Sequence, residues 1–294
     1  MSDHQKLPDF IIIGAQKSGT TALWKCLRKH PEIFMPEEKE INYFKSDENN
    51  YAKGIDWYAG FFKDSKDEKS IGEASPRYLF YPDVAEKIHR FNKDIKLICI
   101  LRNPVDRAYS HYWHNVRDGL EDLSFKEAVD REKERIKESD YNYRAYSYIS
   151  RGFYYDQIRH FLDYFDITQI HFIIFEELIK HPAEIIEKTL EYLNVDTSFI
   201  PKMDHVNQAS ALKYPLIYRR IRSKSDYMLD IVREKTSYAI RDKISRLLRK
   251  IFTNKGKYPR IDPKLRKYLE RIFNEKNRML SQLLNKDLDI WNGE

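Results

Sequence analysis

The chain has few cysteines and lacks any long apolar run. Only two of its 294 residues are cysteines, Cys26 and Cys99. Both fall in segments that we expect to be buried, where cysteine behaves as a small hydrophobe, so we predict no disulfide framework and a reducing, cytoplasmic compartment. The polar residues before Pro8 do not form the apolar stretch of a secretory signal, and no run approaches the roughly 18 apolar residues of a membrane span. We therefore expect a soluble chain.

The charges and histidines do not indicate a nucleic acid or a metal as partner. The formal net charge is +6 and the pI about 8.9, with many residues of both signs. This balance suits an anionic ligand better than an anionic polymer. In the basic span 219–250, acidic residues alternate with basic ones, which predicts a solvated helix. The histidines show no metal-ligand spacing, since His111 and His114 lie three apart without a carboxylate or cysteine partner set.

A turn that contains a lysine, three hydroxyls and two glycines joins the first predicted strand to the first predicted helix. Residues 10–13 form an apolar run, and apolar residues with helical spacing begin after Gly19. The turn between them, from Gly14 to Thr21, is GAQKSGTT, a pattern in which a glycine loop and the N–H groups of a helix surround a phosphate. In the nucleotide triphosphatase pattern GxxxxGK[ST] a lysine follows the second glycine, whereas here Thr20 stands there and Lys17 lies inside the loop. The loop therefore predicts a phosphate cradle that is not built for Mg-bound β- and γ-phosphates.

A second anion-binding motif follows the apolar run at 96–101. Arg102 stands at the carboxyl end of this predicted strand, where open α/β sheets bind ligands. Asn103 is predicted to cap the next helix, with Pro104 in its first position. Ser110 lies seven residues past Asn103, which places both on one helix face. An arginine fork and a serine hydroxyl suit a terminal phosphate dianion.

Apolar runs separated by helical patterns predict an α/β fold. The runs at 10–13, 96–101 and 170–175 are continuous, which is typical of strands buried on both faces of a parallel sheet. We predict a P-loop-type three-layer α/β fold, with a central mainly parallel sheet flanked by helices. A short strand end is predicted at 70–75, and helices are predicted at 82–91, 124–138, 153–165, 182–193, 214–252 and 262–284. No repeat or low-complexity linker interrupts the chain, so we predict one domain over 1–294 with residues 1–8 flexible.

Taken together, these segments resemble the sulfotransferases that use 3′-phosphoadenosine 5′-phosphosulfate (PAPS), in the branch of the heparan sulfate sulfotransferases and their bacterial relatives. The resemblance implies that the loop holds the 5′-phosphosulfate through Gln16, Lys17, Ser18, Gly19, Thr20 and Thr21. Lys17 would contact the bridging oxygen and the sulfonate, and would stabilise charge on the leaving phosphate. Arg102 and Ser110 would bind the 3′-phosphate. PAPS has no γ-phosphate, so the resemblance implies that no metal is required.

The segment 39–44 (KEINYF) resembles the part of these enzymes that carries the general base. By that resemblance Glu40 would take the proton of the acceptor. Some members have histidine where this chain has Asn42, so a second acid–base group is not evident. A further segment, 72–77 (GEASPR), has Ala74 where several relatives have lysine, and Arg77 could provide an offset positive charge.

The segment 254–264 resembles a late loop that closes over the cofactor in this family. By the resemblance Lys255, Gly256 and Lys257 would fold onto the phosphates, with lysine at the place where the family often has arginine. Residues 205–252 would form a variable, mostly helical segment on the acceptor side. The helix that follows the loop ends in Asp289-Ile-Trp291, again as in the family.

The sequence therefore predicts sulfonate transfer from PAPS to a hydroxyl or amine, with 3′,5′-adenosine bisphosphate (PAP) as product. The branch resembled implies a carbohydrate, a glycolipid or a glycosylated natural product as acceptor, and the oligomeric state stays open. Two alternatives remain. A P-loop kinase or nucleotide triphosphatase is disfavoured by Thr20 and by the strand that ends in Arg102. A protein that binds a nucleotide or an anionic glycan without turnover is kept open by Asn42 and Ala74.

Overall fold

In a computed structural model, the structure describes residues 6–45, 49–203, 210–212, 253–255 and 259–291. The chain divides into two compact units, one formed by 1–107, 151–206 and 270–294 and the other by 108–150 and 207–269. The single domain stays a prediction. The helix predicted at 214–252 lies outside the described residues, as does most of the predicted flexible segment 1–8.

A five-stranded parallel sheet forms the centre of the first unit. Its strands are β1 (Phe10–Gly14), β2 (Ile33–Phe34), β3 (Ser70–Ala74), β4 (Lys96–Leu101) and β5 (Ile170–Ile174). They are ordered β2-β3-β1-β4-β5, and every neighbouring pair is parallel. The predicted parallel sheet is confirmed. Every residue of β1 and β3 is buried, which explains why these strands lack polar alternation.

Helices of the first unit connect these strands and flank the sheet. They are α1 (Thr20–Leu27), α2 (Gly54–Ala59), α3 (Pro82–Phe91), α8 (Tyr154–Phe161), α9 (Phe175–Lys180) and α10 (Pro182–Leu193). The helix α4 (Pro104–Arg117) begins in this unit and continues past its boundary, and α11 (Pro263–Leu284) ends in it. The predicted bounds 82–91 and 182–193 are confirmed, since a proline stands in the first position of each helix.

The second unit contains shorter elements. These are α5 (Phe125–Asp130), α6 (Glu132–Glu138) and α7 (Asp140–Tyr146), with the antiparallel strands β6 (Ser210–Leu212) and β7 (Thr253–Lys255). The single helix predicted at 124–138 is wrong, because the helix breaks at Arg131. The buried Glu132 after the break accepts hydrogen bonds from the backbone N–H groups of Ile149 (2.6 Å) and Ser150 (2.8 Å), which fix the start of α6.

The core of the first unit lies between the sheet and its helices. Ile12 of β1, Leu23 of α1, Ile98 of β4 and Leu190 of α10 belong to one buried apolar cluster. Both cysteines are fully buried and neither forms a disulfide, and burial raises the pKa of the Cys99 thiol well above its usual range. Among the described residues no helix is both long and apolar enough to cross a membrane.

Candidate functional site

The loop between β1 and α1 closes a tight turn at the carboxyl edge of the sheet. The N–H of Ala15 donates to the carbonyl of Ile100 in the neighbouring strand at 2.7 Å, which anchors the start of the loop to β4. Lys17 and Gly19 both have left-handed backbone conformations, with φ of 71° and 89°. A Cβ atom at Gly19 would also lie 2.8 Å from the ring of Phe175. Glycine is therefore required at this position both by conformation and by space.

The loop brings together the residues that the sequence analysis assigned to the 5′-phosphosulfate, from Gln16 to Thr21. Ser18 and Thr20 are buried, whereas Gln16, Lys17 and Thr21 are half-buried. The first N–H groups of α1 have no partner within the helix and lie at the positive end of its dipole. A lysine, three hydroxyls and these amides are all donors, and no carboxylate stands among residues 14–21. This donor set fits a phosphosulfate.

Arg102 lies against this loop, as its place at the end of β4 predicts. Its Nη1 donates to the carbonyl oxygen of Lys17 at 3.2 Å. Its guanidinium stacks on the ring of Phe175, 4.7 Å from the ring centre. Phe175, the first residue of α9, thus contacts both Arg102 and the position of Gly19. Sequence reasoning placed Phe175 in the apolar run 170–175 and missed its part in the site, although the end of that run was a signal that it stands at the same edge of the sheet.

The start of α4 is fixed by a network of three residues. The Asn103 side chain caps the helix by accepting from the N–H of Val105 at 2.9 Å, as predicted. Glu176 accepts from the backbone N–H of Asn103 and from the indole N–H of Trp291, both at 2.9 Å. The Asn103 amide in turn donates to the carbonyl of Trp291 at 2.7 Å. Sequence reasoning missed the part played by Glu176.

Other residues assigned to the cofactor are placed less completely. Ser110 lies within α4 and is partly exposed, and its pairing with Arg102 stays a prediction. Lys255 is the last residue of β7, and the contact of its side chain with the phosphates stays a prediction. Gly256 and Lys257 lie outside the described residues.

Glu40 lies beside the carboxyl end of β3 and is flanked by cations. Its N–H donates to the carbonyl of Ala74, the last residue of β3, at 2.9 Å. Its carboxylate lies 3.0 Å from the Lys39 Nζ and 3.7 Å from the Arg77 Nε, and its side chain is 36% exposed. The Arg77 charge suggested by the sequence is therefore present beside Glu40. An accessible carboxylate next to two cations can accept a proton from an approaching nucleophile.

A second carboxylate, Glu73, is fully buried one residue before the end of β3. It accepts hydrogen bonds from the hydroxyls of Tyr58 (3.1 Å), Tyr78 (3.0 Å) and Ser75 (2.7 Å). Burial raises the pKa of Glu73 to about 7, although the three hydroxyls and the Lys39 charge oppose the rise. Sequence reasoning missed this cluster, because glutamate is rarely buried and no pattern around position 73 marked it as part of the core.

Three guanidinium groups lie close together in the first unit. Arg107 is fully buried, and Arg151 is only 3% exposed, with its guanidinium 4.2 Å from the ring centre of Phe80. Burial lowers the pKa of Arg151 to about 10, and repulsion from Arg107 and Arg77 adds to the fall. Sequence reasoning considered Arg77 as a nearby positive charge but did not predict that three guanidinium groups would come together. The three guanidinium groups therefore concentrate positive charge around Arg151.

The aromatic run 57–62 is mostly core. Tyr58 and Phe62 are fully buried, and Tyr58 stacks on Tyr43 with the ring centres 4.3 Å apart. Trp57 is partly exposed, with the Lys53 ammonium 4.4 Å from its ring centre. Within the described part of the chain no group of three or more histidine, cysteine, aspartate or glutamate residues could hold a metal ion.

Comparison with known proteins gives a family for this site. The profile of the sulfotransferase domain matches residues 7–281, nearly the whole chain. The chain belongs to the sulfotransferase family. It is 29% identical over 286 residues to heparan sulfate glucosamine 3-O-sulfotransferase 5 of Mus musculus, covering 97% of this chain and 74% of that protein. It is also 29% identical over 305 residues to the bifunctional heparan sulfate N-deacetylase/N-sulfotransferase of Drosophila melanogaster, covering 95% of this chain and 26% of that protein.

A solved structure shows the same fold. The crystal structure of a sulfotransferase from Alicyclobacillus acidocaldarius matches this sulfotransferase with a TM-score of 0.72 and 29% identity. The match covers 98% of this chain and all of that one. The resemblance inferred from the sequence is therefore confirmed, and so is the prediction of an enzyme. The family therefore favours a sulfotransferase over the two alternatives, a P-loop kinase or nucleotide triphosphatase and a non-catalytic binding protein.

Proposed function

We propose that this sulfotransferase transfers the sulfonate group of PAPS to a hydroxyl or amine of a carbohydrate, a glycolipid or a glycosylated natural product. The observation that carries the proposal is the loop of residues 14–21 with Arg102 bonded to its backbone. Its donors suit the 5′-phosphosulfate, and Arg102 supplies a fork suited to the 3′-phosphate that ATP lacks. The glycan acceptor is supported by relatives whose names include heparan sulfate.

In the proposed reaction the oxygen or nitrogen of the acceptor forms a bond to sulfur while the bond from sulfur to the bridging phosphate oxygen breaks. The electron pair of that bond leaves with PAP. Glu40 accepts the proton of the acceptor, and the nearby Arg77 stabilises the ionised form that Glu40 needs before the step. Lys17 and the N–H groups of α1 stabilise the charge that develops on the leaving phosphate. Positioning and electrostatics suffice for this chemistry, so we propose that no metal is required.

The proposal is tested by measuring transfer of radiolabelled sulfonate from PAPS to de-O-sulfated heparan sulfate, without divalent metal. We expect transfer by the wild type, and a fall in kcat of at least about a hundredfold in Lys17→Ala and in Glu40→Gln. Glu40→Gln should still bind PAP as the wild type does. Lys25→Ala is the control, because Lys25 is an exposed lysine of α1 outside the loop.

Two results would count against the proposal. If Lys17→Ala transfers sulfonate as fast as Lys25→Ala, the loop does not hold the donor. If Glu40→Gln retains the kcat of the wild type, Glu40 is not the base. A panel of small hydroxyl and amine acceptors, run beside the glycan, tests the acceptor class separately from the donor.

A further inference from the structure

The residues around Glu40 form a short segment, 40–44, that contacts Glu73 through intermediate side chains. We call residues 40–44 the base segment. Glu40 and Asn42 both have left-handed backbone conformations, with φ of 63° and 54°. Asparagine tolerates this conformation, but glutamate adopts it only at a cost, so the backbone at Glu40 is strained and must be held by its surroundings. Some of the contacts that hold it are direct, such as the hydrogen bond from the Asn50 amide to the carbonyl of Ile41 (3.0 Å), and three others converge on one buried carboxylate, Glu73.

Two hydroxyls each bridge Glu73 to a backbone N–H of the base segment. Ser75 donates to Oε2 of Glu73 at 2.7 Å and accepts from the N–H of Asn42 at 3.0 Å. Tyr78 donates to Oε1 of Glu73 at 3.0 Å and accepts from the N–H of Phe44 at 3.3 Å. The backbone on both sides of Tyr43 is therefore fixed through Glu73.

A third contact fixes the residue between them. The hydroxyl of Tyr58 donates to Oε1 of Glu73 at 3.1 Å, and its ring lies flat on that of Tyr43, with an interplanar angle of 7°. Asn42, Tyr43 and Phe44 are thus each linked to Glu73 through one side chain. These side chains are Ser75, Tyr58 and Tyr78, respectively.

The charge of Glu73 determines the direction of these hydrogen bonds. Above about pH 7 Glu73 is ionised, and its carboxylate then only accepts, so the hydroxyl protons of Ser75 and Tyr78 must point toward it. Their oxygen lone pairs are then available to the N–H groups of Asn42 and Phe44. A neutral amide at position 73 would turn its NH₂ toward at least one of these hydroxyls and would disturb that arrangement.

We propose that Glu73 is a positioning residue, which holds the base segment and thereby places Glu40 at the carboxyl edge of the sheet. The inference rests on the proposed function of Glu40 as general base. Glu73 itself is fully buried and acts only through Ser75, Tyr78 and Tyr58.

The chain offers a matched pair of variants for the test. Ser70 begins β3 and Ser75 directly follows its last residue; both are buried, and each donates to a carboxylate. Ser70 donates to Asp9 at 2.6 Å, at the end of the strand opposite the base segment. Ser75→Ala removes a bridge to the base segment, whereas Ser70→Ala removes a similar hydrogen bond that does not reach it.

The first measurement is amide-resolved hydrogen exchange, which needs no acceptor. In Ser75→Ala we expect the N–H of Asn42 to exchange at least about tenfold faster than in the wild type. In Glu73→Gln we expect the N–H groups of both Asn42 and Phe44 to exchange at least about tenfold faster than in the wild type. Ser70→Ala should leave both amides protected. Equal exchange of these amides in Ser75→Ala and Ser70→Ala would overturn the proposal, and this result can be obtained even if Glu73→Gln does not fold.

The second measurement is sulfonate transfer from PAPS to de-O-sulfated heparan sulfate. For Ser75→Ala and Glu73→Gln we expect kcat to fall at least about tenfold while the KM for PAPS changes less than about twofold, because the phosphate loop is untouched. Ser70→Ala should retain the kcat of the wild type. The positioning role of Glu73 would be overturned if Ser75→Ala had the same kcat as Ser70→Ala although its Asn42 amide exchanges faster. If the wild type transfers no sulfonate at all, the proposed function fails, and the exchange data still report on Glu73.

Discussion

Replacement of Glu73 by glutamine is predicted to change how the stability of the protein depends on pH. The carboxyl group of Glu73 is fully buried, and burial raises its pKa from the ordinary 4.5 to about 7. Between these values the folded protein retains a proton that the unfolded chain has released. The contribution of Glu73 to the free energy of unfolding is therefore fully present below about pH 4.5 and is lost as the pH rises to about 7. Above that pH the carboxyl group is ionised in both the folded and the unfolded chain.

The size of the effect follows from the two pKa values. The difference between them corresponds to roughly 3 kcal/mol in total, of which about 2.5 kcal/mol falls between pH 5 and pH 8. Glutamine does not titrate, so Glu73→Gln should lack this loss. Lys39, Tyr58 and Tyr78 are the ionisable groups acting on Glu73, and the two phenols stay neutral across this range because burial raises the pKa of each well above its usual value.

The assay is urea unfolding at pH 5, 6, 7 and 8 and constant ionic strength, followed by tryptophan fluorescence. The quantity of interest is the free energy of unfolding of the wild type minus that of Glu73→Gln. Other groups, such as Asp9 with its own raised pKa, cancel in this difference. We expect the difference to fall by about 2.5 kcal/mol from pH 5 to pH 8. A difference that stays constant, or that rises with pH, would refute the reasoning.

Two further predictions concern the phosphate loop and the second unit. Gly19→Ala should weaken PAP binding at least about tenfold in a calorimetric titration, because alanine is strained at a φ of 89° and its Cβ would meet the ring of Phe175. Gly60→Ala is the control, since its Cβ meets nothing within 4 Å, and equal affinities of the two variants would contradict the account. Glu132→Ala should lower the free energy of unfolding by at least about 2 kcal/mol, because the buried N–H of Ile149 and the half-buried N–H of Ser150 lose their acceptor. Urea unfolding measures this change, and a loss below about 0.5 kcal/mol would show that water replaces the carboxylate.

Much of the fold could be predicted from local patterns in the sequence. The strand at 96–101 has the predicted bounds, because a continuous apolar run with a following Asn-Pro pair specifies both its burial and its end. The two-residue strand β2 was missed, because so short a run carries no periodic signal. The helix predicted at 153–165 spans only Tyr154–Phe161, and residues 162–164 continue only as turns.

The site could be predicted in part. Lys17 and Arg102 lie together because parallel strands present their carboxyl ends at one edge of the sheet, which depends only on topology. The cluster around Glu73 could not be predicted, because Tyr58 and Tyr78 reach it only through tertiary packing. Glutamate is rarely buried, so its sequence position gave no reason to expect a carboxylate in the core.

The central claim is that the site recognises a 3′-phosphorylated adenosine nucleotide through the loop at 14–21 and Arg102. The most direct test is calorimetric titration with PAP, ADP and ATP, with and without Mg²⁺, on the wild type, Arg102→Ala and Arg102→Lys. We predict that PAP binds at micromolar concentration or below without metal and at least about tenfold more tightly than ADP. Arg102→Ala should lose that preference, and Arg102→Lys should keep part of it, since lysine keeps the charge without the fork. Tighter binding of Mg-ATP than of PAP, with no effect of Arg102→Ala, would contradict the account.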